Sequence, residues 1–422
     1  MFPTSSIRHR DFRLLLLGQT TSQLGAQVSG VAIPLLAGLT LDASPLEFGL
    51  ISASGTVAFA LIGLPAGAWV DRWPRRPVLV ASDVVRALLL ASIPVAALLG
   101  ILTIAQLVVV SLLSGFARVF FDVAYQSYLP AVVGKDGLLT GNSAMETVRA
   151  TGQVAGPGLG GWLVALAGAA NVVLIQAVTF AVSAGSLMAI RTREPALPAR
   201  TDRPRLRAEI KEGLLFVART PLLRATAITG TAGNFSFALA SAVSFLFMLD
   251  TLALSSVAIG IVLALGSLTV IAGAAWTPRL ARRFGSARII WLSLAVTGPI
   301  ALVSPLAHRG WLVVLLVIGT AAGEFGQIIY AITNVSLRQR LCPDHLLGRV
   351  NATMRFLMMG LFPLGALLGG VLGELLGLRP TLVLAGGIIA ASAVPVYRAL
   401  RGVCDVEELP AWSVTDMNPT PR

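Results

Sequence analysis

The 422-residue chain is 55% hydrophobic and 12% charged, with a formal net charge of +12. A soluble globular domain carries about 25% charged residues, so this composition excludes an ordinary soluble enzyme and indicates a polytopic membrane protein. Its apolar runs are long enough for one helical crossing each, and they are too long and too uniformly apolar for barrel strands.

In chain order, six spans are predicted over Phe12–Leu39, Leu46–Val70, Val78–Leu99, Ile101–Ser127, Met145–Leu166 and Val172–Ile190. The N-terminal stretch enters the first span without a cleavable signal pattern. A long break follows, "RTREPALPARTDRPRLRAEIKEGLLFVART", Arg191 to Thr220. Its first part is rich in Pro and Arg. Its second part repeats Leu206, Ile210, Leu214 and Val217 at helical spacing, which predicts an amphipathic helix on the cytoplasmic leaflet. Six more spans are predicted over Arg224–Leu249, Val257–Leu280, Ile289–Leu306, Trp311–Ser336, Val350–Leu376 and Thr381–Leu400. The domain reading is an N-terminal six-helix bundle (1–190), a cytoplasmic linker (191–220), a C-terminal six-helix bundle (221–402) and a polar, disordered tail (403–422). "DRWPRR" after the second span and "RRFGSAR" after the eighth form a weak repeat. Duplicated halves point to alternating access around a site between them.

The charge sorts by side. With a cytoplasmic N-terminus, the outside loops hold only Arg309 and Arg379, and almost every other basic residue falls in an inside segment or in a span. The positive-inside rule then places both termini in the cytoplasm. The basic excess is a topology signal with some attraction to anionic lipid, and nucleic-acid binding is not expected. The Arg- and Ala-rich usage suggests a bacterium, hence its inner (cytoplasmic) membrane. Cys342 and Cys404 have neither disulfide nor metal spacing, the three His are scattered, and no phosphate-binding Gly-x-x-x-x-Gly-Lys-Ser/Thr loop is present. No cofactor or metal is expected, and a monomer is expected.

Four stretches carry a family likeness. "GAWVDRWPRR" matches a Gly-x-x-x-Asp-Arg-x-Gly-Arg-Arg loop at Gly67, Asp71, Arg72, Arg75 and Arg76, with Pro74 in place of the second Gly. Asp71 can accept the free N–H groups of a neighbouring helix N-terminus; the alternative is a plain positive-inside turn. "GQVAGPGLGG" matches Gly-x-x-x-Gly-Pro-x-x-Gly-Gly at Gly152, Gly156, Pro157, Gly160 and Gly161. In lipid, small residues let helix backbones approach closely. The face formed by Gly152, Gly156 and Gly160 is expected to pack against a helix of the other half, with Pro157 bending its helix; ordinary close packing is the alternative. "RVFFDVAYQSYLP" from Arg118 and "SLRQRLCPDHLLGRVNATMRFLMMGLFPLGALLGG" from Ser336 complete the set. With these stretches the chain, from Phe12 to about Leu400, resembles the major facilitator superfamily. Within it, the drug:proton antiporter branch that includes macrolide and siderophore (enterobactin) exporters is the most similar. The resemblance implies an all-α membrane fold of about twelve helices in two six-helix bundles. The loop motif would latch the outward-facing state, the glycine motif would be a gating contact, and spans 1, 4, 7 and 10 would line a central cavity.

Charges inside the spans are the remaining candidates, since an ionisable group at mid-bilayer costs about 2.5–3.5 kcal/mol on insertion scales. Glu324, in the middle of the tenth span with Gln327 one turn on, can alternate between a proton and a cationic substrate, or can pair structurally with an Arg. Arg118 and Asp122 are spaced to pair and, with Arg355 in the eleventh span, are expected in a gating network that reaches the loop after the second span. Arg86 remains unassigned. Where relatives carry an acid in the first span, this chain has Ala26, which shifts coupling to Glu324. Gln19, Gln23 and Gln27 recur at i, i+4, i+8 and can line a polar face or bond between helices; Asn234 in the seventh span is similar.

The functional reading is therefore a secondary transporter and no enzyme: a multidrug-type efflux antiporter that exchanges protons for a small amphipathic compound, whether drug, antibiotic or siderophore-like. An importer or facilitator on the same fold is the alternative, and a membrane enzyme or receptor the remote one.

Overall fold

Lipid offers no hydrogen bonds to a backbone, so a spanning apolar run must pair its own N–H and C=O groups, and a helix does this within one segment. The computed structural model describes residues 10–70, 73–192 and 206–409, and among these residues it contains helices and turns but no strand. The helices are α1 (Arg10–Thr40), α2 (Pro45–Val70), α3 (Arg75–Leu98), α4 (Ile104–Ala167), α5 (Ala169–Ala189), α6 (Leu206–Arg219), α7 (Pro221–Leu246), α8 (Ser256–Phe284), α9 (Arg288–Ala301), α10 (Val314–Leu341), α11 (Asp344–Gly360), α12 (Phe362–Leu376) and α13 (Leu378–Leu400). Among the described residues, 11 helical stretches are long and apolar enough to cross a membrane.

The fifth expected crossing, 145–166, is the later part of α4. This helix has 64 residues, which at about 1.5 Å per residue is roughly three times a bilayer core of about 30 Å. The chain reverses within it. A Cβ on Gly141 would lie 3.6 Å from Leu129 Cδ1, whereas twelve residues of straight helix span about 18 Å. One glycine then ends α4 and starts α5: Gly168, at φ 83°. Gly377, at φ 90°, joins α12 to α13 in the same way. Only glycine takes this conformation without a Cβ clash, and the two hinges occupy equivalent places in the two halves. The eleventh expected span is broken at Leu361 into α11 and α12.

The chain packs as two compact units that do not coincide with the halves of the sequence. The first is 1–199 with 241–265 and 366–378; the second is 200–240 with 266–365 and 379–422. In the first unit, Phe12, Leu15, Leu79, Phe121, Tyr128 and Leu187 form a buried cluster. Two polar ties close it. Arg76 donates from Nε to the Leu187 carbonyl at 2.9 Å and from Nη2 to the Met188 carbonyl, so a cation meets the negative end of α5. Asp11 Oδ2 accepts from the Arg191 and Thr192 backbone N–H groups at 3.1 and 2.8 Å and from the Thr192 hydroxyl at 2.6 Å.

In the second unit, Val217 of α6 is buried in a cluster with Tyr330, Leu337, Leu346 and Val350. Gly213 lets α6 approach α11: a Cβ there would lie 2.9 Å from the Arg349 carbonyl oxygen and 2.6 Å from Thr353 Oγ1. Glu212 pairs with Arg349 Nη1 across the same contact. The linker helix is therefore docked on protein along Gly213 and Val217, while Leu214 is exposed. The fourth signature stretch, which contains Arg349 and Thr353, gains a physical role as the seat of α6.

The chain after α13 also carries structure. Residues 403–409 fold onto the connection between α8 and α9. The Cys404 carbonyl accepts from the Ala287 and Arg288 N–H groups at 3.0 and 3.2 Å. Asp405 Oδ1 accepts from the Ser286 N–H at 2.8 Å and from its hydroxyl at 3.2 Å. Val406 and Leu409 are buried beside Ala287 and Leu341. Gly285, at φ 94°, leaves room for the Cys404 carbonyl. The tail reading of 403–422 as disordered is thus corrected for 403–409: two apolar side chains and the N-terminus of α9 hold it. Residues 410–422 lie outside the described residues.

A hydrogen bond to a charged group is worth about 1.5–3 kcal/mol. Asp405→Ala is expected to lower the thermal midpoint of the purified protein in detergent by several degrees. Asp405→Asn, which keeps an acceptor, is expected to lower it by less than half as much.

Candidate substrate and coupling site

The glycine motif on α4 sits where two backbones converge. A Cβ on Gly156 would overlap Gln27 Cβ, and one on Gly160 would overlap the Val28 carbonyl oxygen. A Cβ on Gly152 would meet Gln27 Cγ at an ordinary 3.4 Å. The face at i, i+4, i+8 therefore packs on α1, within the same half. This corrects the expectation that it meets the other half. The second-half contact belongs to the neighbouring strip, Pro157 and Gly161, turned by about 100° on the helix. A Cβ on Gly161 would overlap the Ser256 carbonyl oxygen, and one on Gly260 of α8 would lie 2.6 Å from the Pro157 carbonyl oxygen. A second crossing repeats the device. A Cβ on Gly49 of α2 would lie 2.8 Å from the Ala366 carbonyl oxygen, and one on Gly370 of α12 would lie 2.7 Å from that of Pro45. Both crossings lie within the first unit.

The glutamines on α1 differ in environment. Gln19 is buried, while Gln23 and Gln27 are half-buried, and Gln27 spends its stem against Gly156 and Gly152. Of the loop motif, Asp71 and Arg72 lie outside the described residues. Gly67 lies in α2; Arg75 and Arg76 begin α3, with Arg76 bound to the end of α5 as above.

On α4, Arg118 Nε and Asp122 Oδ2 are 3.7 Å apart. Asp122 and Arg118 both lie within electrostatic reach of Arg86 on α3. Arg86 itself is buried and donates from Nη2 to Asp83 Oδ1, an i,i+3 pair. Asp83 was not among the sequence candidates; its signal is an Asp and an Arg one turn apart inside an apolar span. Arg355 is exposed on α11 and belongs to the second unit, whereas Arg118 and Asp122 belong to the first.

Glu324 and Gln327 project from α10 within the second unit. The helix is locked on its other faces. Tyr330 donates its hydroxyl to the Thr226 carbonyl on α7 at 2.7 Å, and Gly326 packs so closely on α9 that a Cβ would overlap Thr297 Oγ1. Where Glu324 and Gln327 point, the neighbours are thinned to glycine. Glu324 Cγ lies 4.0 Å from the place of a Cβ on Gly266 of α8, and Gln327 Nε2 lies 3.3 Å from that of a Cβ on Gly233 of α7. Glu324 is half-buried, and among the described residues it has no hydrogen-bond or ion-pair partner. Asn234, one residue after Gly233, donates to the Gly230 carbonyl of its own helix at 2.9 Å. The carboxyl without a partner among the described residues thus has an amide one turn on along the same helix. Among the described residues no three His, Cys, Asp or Glu side chains gather as a metal site.

Helices without strands, this many crossings, Gly-lined close approaches and an ionisable group without a partner, all among the described residues, define a multi-pass membrane transporter. The profile of the Major Facilitator Superfamily matches residues 15–363, and the chain belongs to that family. It is 30% identical over 377 residues to the multidrug efflux pump Tap of Mycolicibacterium fortuitum, covering 87% of this chain and 90% of that one. It is 28% identical over 374 residues to the enterobactin exporter EntS of Escherichia coli O81, covering 87% and 86%. Among solved structures, a bacterial homologue of the iron transporter ferroportin in an inward-facing state superposes with a TM-score of 0.73 at 18% identity, over 92% of this chain and 98% of that one. The nucleoside transporter NupG superposes with a TM-score of 0.71 at 15% identity, over 93% and 99%.

The packing on α4 predicts a graded series. Forcing volume into a filled contact costs about 1–3 kcal/mol. Gly152→Ala is expected to leave thermal stability and transport near wild type, because its Cβ finds ordinary contact. Gly156→Ala is expected to lower stability, and Gly156→Leu to insert yet lose transport. Equal transport by all three at equal abundance removes any mechanical role for the motif.

Proposed function

We propose that this transporter is an exporter that exchanges protons for a small amphipathic compound carrying positive charge, by alternating access between its two halves. Glu324 carries the reading: a half-buried carboxyl on a locked helix, with glycine opposite and no partner among the described residues. Such a group is stable in lipid only when it holds a proton, a cation or water. Alternation between proton and substrate is the use that fits. Gln327, one turn on, supplies a neutral hydrogen-bonding group, which orients a ligand without fixing its charge. The likeness to Tap and EntS supports export, and the arginine distribution supports cytoplasmic termini in a bacterial cell. In this reading the glycine crossings Gly49–Gly370 and Gly161–Gly260 are the contacts that part and re-form in each cycle. They lie at the helix ends opposite the arginine-rich connections, so they seal the outer side.

In energised cells the wild type is expected to extrude a fluorescent lipophilic cation, and a protonophore is expected to stop it. At equal membrane abundance, Glu324→Gln is expected to lose extrusion by about tenfold or more, a factor equivalent to ~1.4 kcal/mol. If Glu324→Gln still extrudes the dye against its gradient, the coupling acid lies elsewhere.

A further inference from the structure

The first unit holds a second ionisable group buried deeper than Glu324. Asp83 of α3 has no exposed surface and Arg86 is 7% exposed. The two form an ion pair through Asp83 Oδ1. Their surroundings are unequal. The Arg86 guanidinium carbon lies 4.1 Å from the centre of the Phe180 ring on α5 and 4.6 Å from that of Phe121 on α4. Two aromatic faces thus hold the cation whatever the state of Asp83. Asp83 has no such support on its far side. Its Oδ2 is buried and makes no well-formed hydrogen bond among the described residues; the polar group beside it is the buried hydroxyl of Ser183 on α5. A pair kept only for stability is favoured when every polar atom is satisfied, because each orphan is costly in a medium of low dielectric. Here one carboxylate oxygen has a single neutral hydroxyl beside it and no exposed surface, so a proton on Oδ2 removes the cost of the buried charge while the Asp83–Ser183 contact is kept with the donor reversed.

We propose that Asp83 is a proton-binding site of the first half. It takes one proton on Oδ2 from water, becomes neutral, and donates that hydrogen to the Ser183 hydroxyl; release reverses the step. Arg86 keeps its charge throughout, since guanidinium does not titrate in proteins. The ionisable groups facing Asp83 are few. On its own helix there is Arg86. On α4, Arg118 and Asp122 lie within electrostatic reach of Arg86, and the same helix carries Tyr125 and Tyr128. Helix α5 carries no ionisable residue between Ala169 and Ala189. When Asp83 is neutral, the acid left within reach of Arg86 among the described residues is Asp122. Protonation therefore turns the attraction of Arg86 from its own helix toward α4. Arg86 is the positioning residue that converts the charge state of Asp83 into a contact between helices. This gives the first half an acid despite Ala26 on α1.

The inference rests on the proton-coupled reading, and its test needs no substrate. The carbonyl stretch of protonated carboxyl groups is followed by infrared spectroscopy on the purified protein in lipid across the neutral pH range. Wild type labelled with ¹³C at the aspartate carboxyl is compared with unlabelled protein. A titrating band that shifts with the aspartate label, persists in Glu324→Gln and disappears in Asp83→Asn is the expected result. Arg86→Lys, which keeps the charge and loses the planar fork, is expected to keep that band but to move its midpoint. Absence of any titrating aspartate band in the labelled wild type overturns the proposal without recourse to a variant. So does a band that survives in folded Asp83→Asn. A band that behaves as expected while dye extrusion proves insensitive to the proton gradient sinks the proton-coupled reading and leaves Asp83 a proton site.

Discussion

Close approach of backbones is the constraint on which the rest depends. In lipid, apolar side chains gain nothing by leaving their neighbours, so helices associate through shape, hydrogen bonds and small residues. Here the tightest contacts are glycine against backbone. Gly161 meets Ser256 and Gly260, Gly49 meets Ala366 and Gly370, and Gly160 meets Val28. No side chain fits at these points, and no long side chain has to be reordered to make or break them. A glycine contact can therefore be tight and still separable. The same device serves static purposes as well, where Gly213 seats the linker helix on α11 and Gly326 seats α10 on α9.

Polar groups divide into those that fasten and those that are left free. Arg76 on the end of α5 and Asp405 before the N-terminus of α9 each join a charge to backbone groups at a helix terminus, and Asp11 accepts from the backbone N–H groups of Arg191 and Thr192 just past α5. Such sites satisfy groups that otherwise lack partners. Glu324 and Asp83 are different. Among the described residues each keeps at least one carboxyl oxygen without a well-formed hydrogen bond, and each sits on a helix secured elsewhere along its length. Rigid support around an unsatisfied group is what a binding site requires, because the support prevents the helix from rotating to relieve it.

The two halves use the same parts in different ways. Both have a one-glycine hinge before their last helix, at Gly168 and at Gly377. Both have a basic connection after their second span. In the second half the acid beside that connection comes from the far end of the chain, as Asp405 on Ser286. That segment and the linker helix α6 both belong to the second unit, where their apolar residues share one buried cluster.

Much was legible from the residues alone. Apolar runs of bilayer length predict the helices and their order, because lipid leaves a backbone no other way to satisfy itself. The glycine motif and the lone acid at 324 stand out because each is costly where it sits. Three-dimensional packing decided the remainder. Which glycine face meets which helix depends on about 100° of rotation, and spacing alone assigned the Gly152–Gly156–Gly160 face to the wrong partner. The reversal inside α4, the seat of α6 and the docking of 403–409 join residues distant in the chain, and no local pattern encodes such a pairing. Asp83 and Arg86 were visible as letters one turn apart. Their importance lies in Phe121, Phe180 and Ser183, which two other helices bring around them, and only the folded chain sets a charge beside the groups that determine its cost.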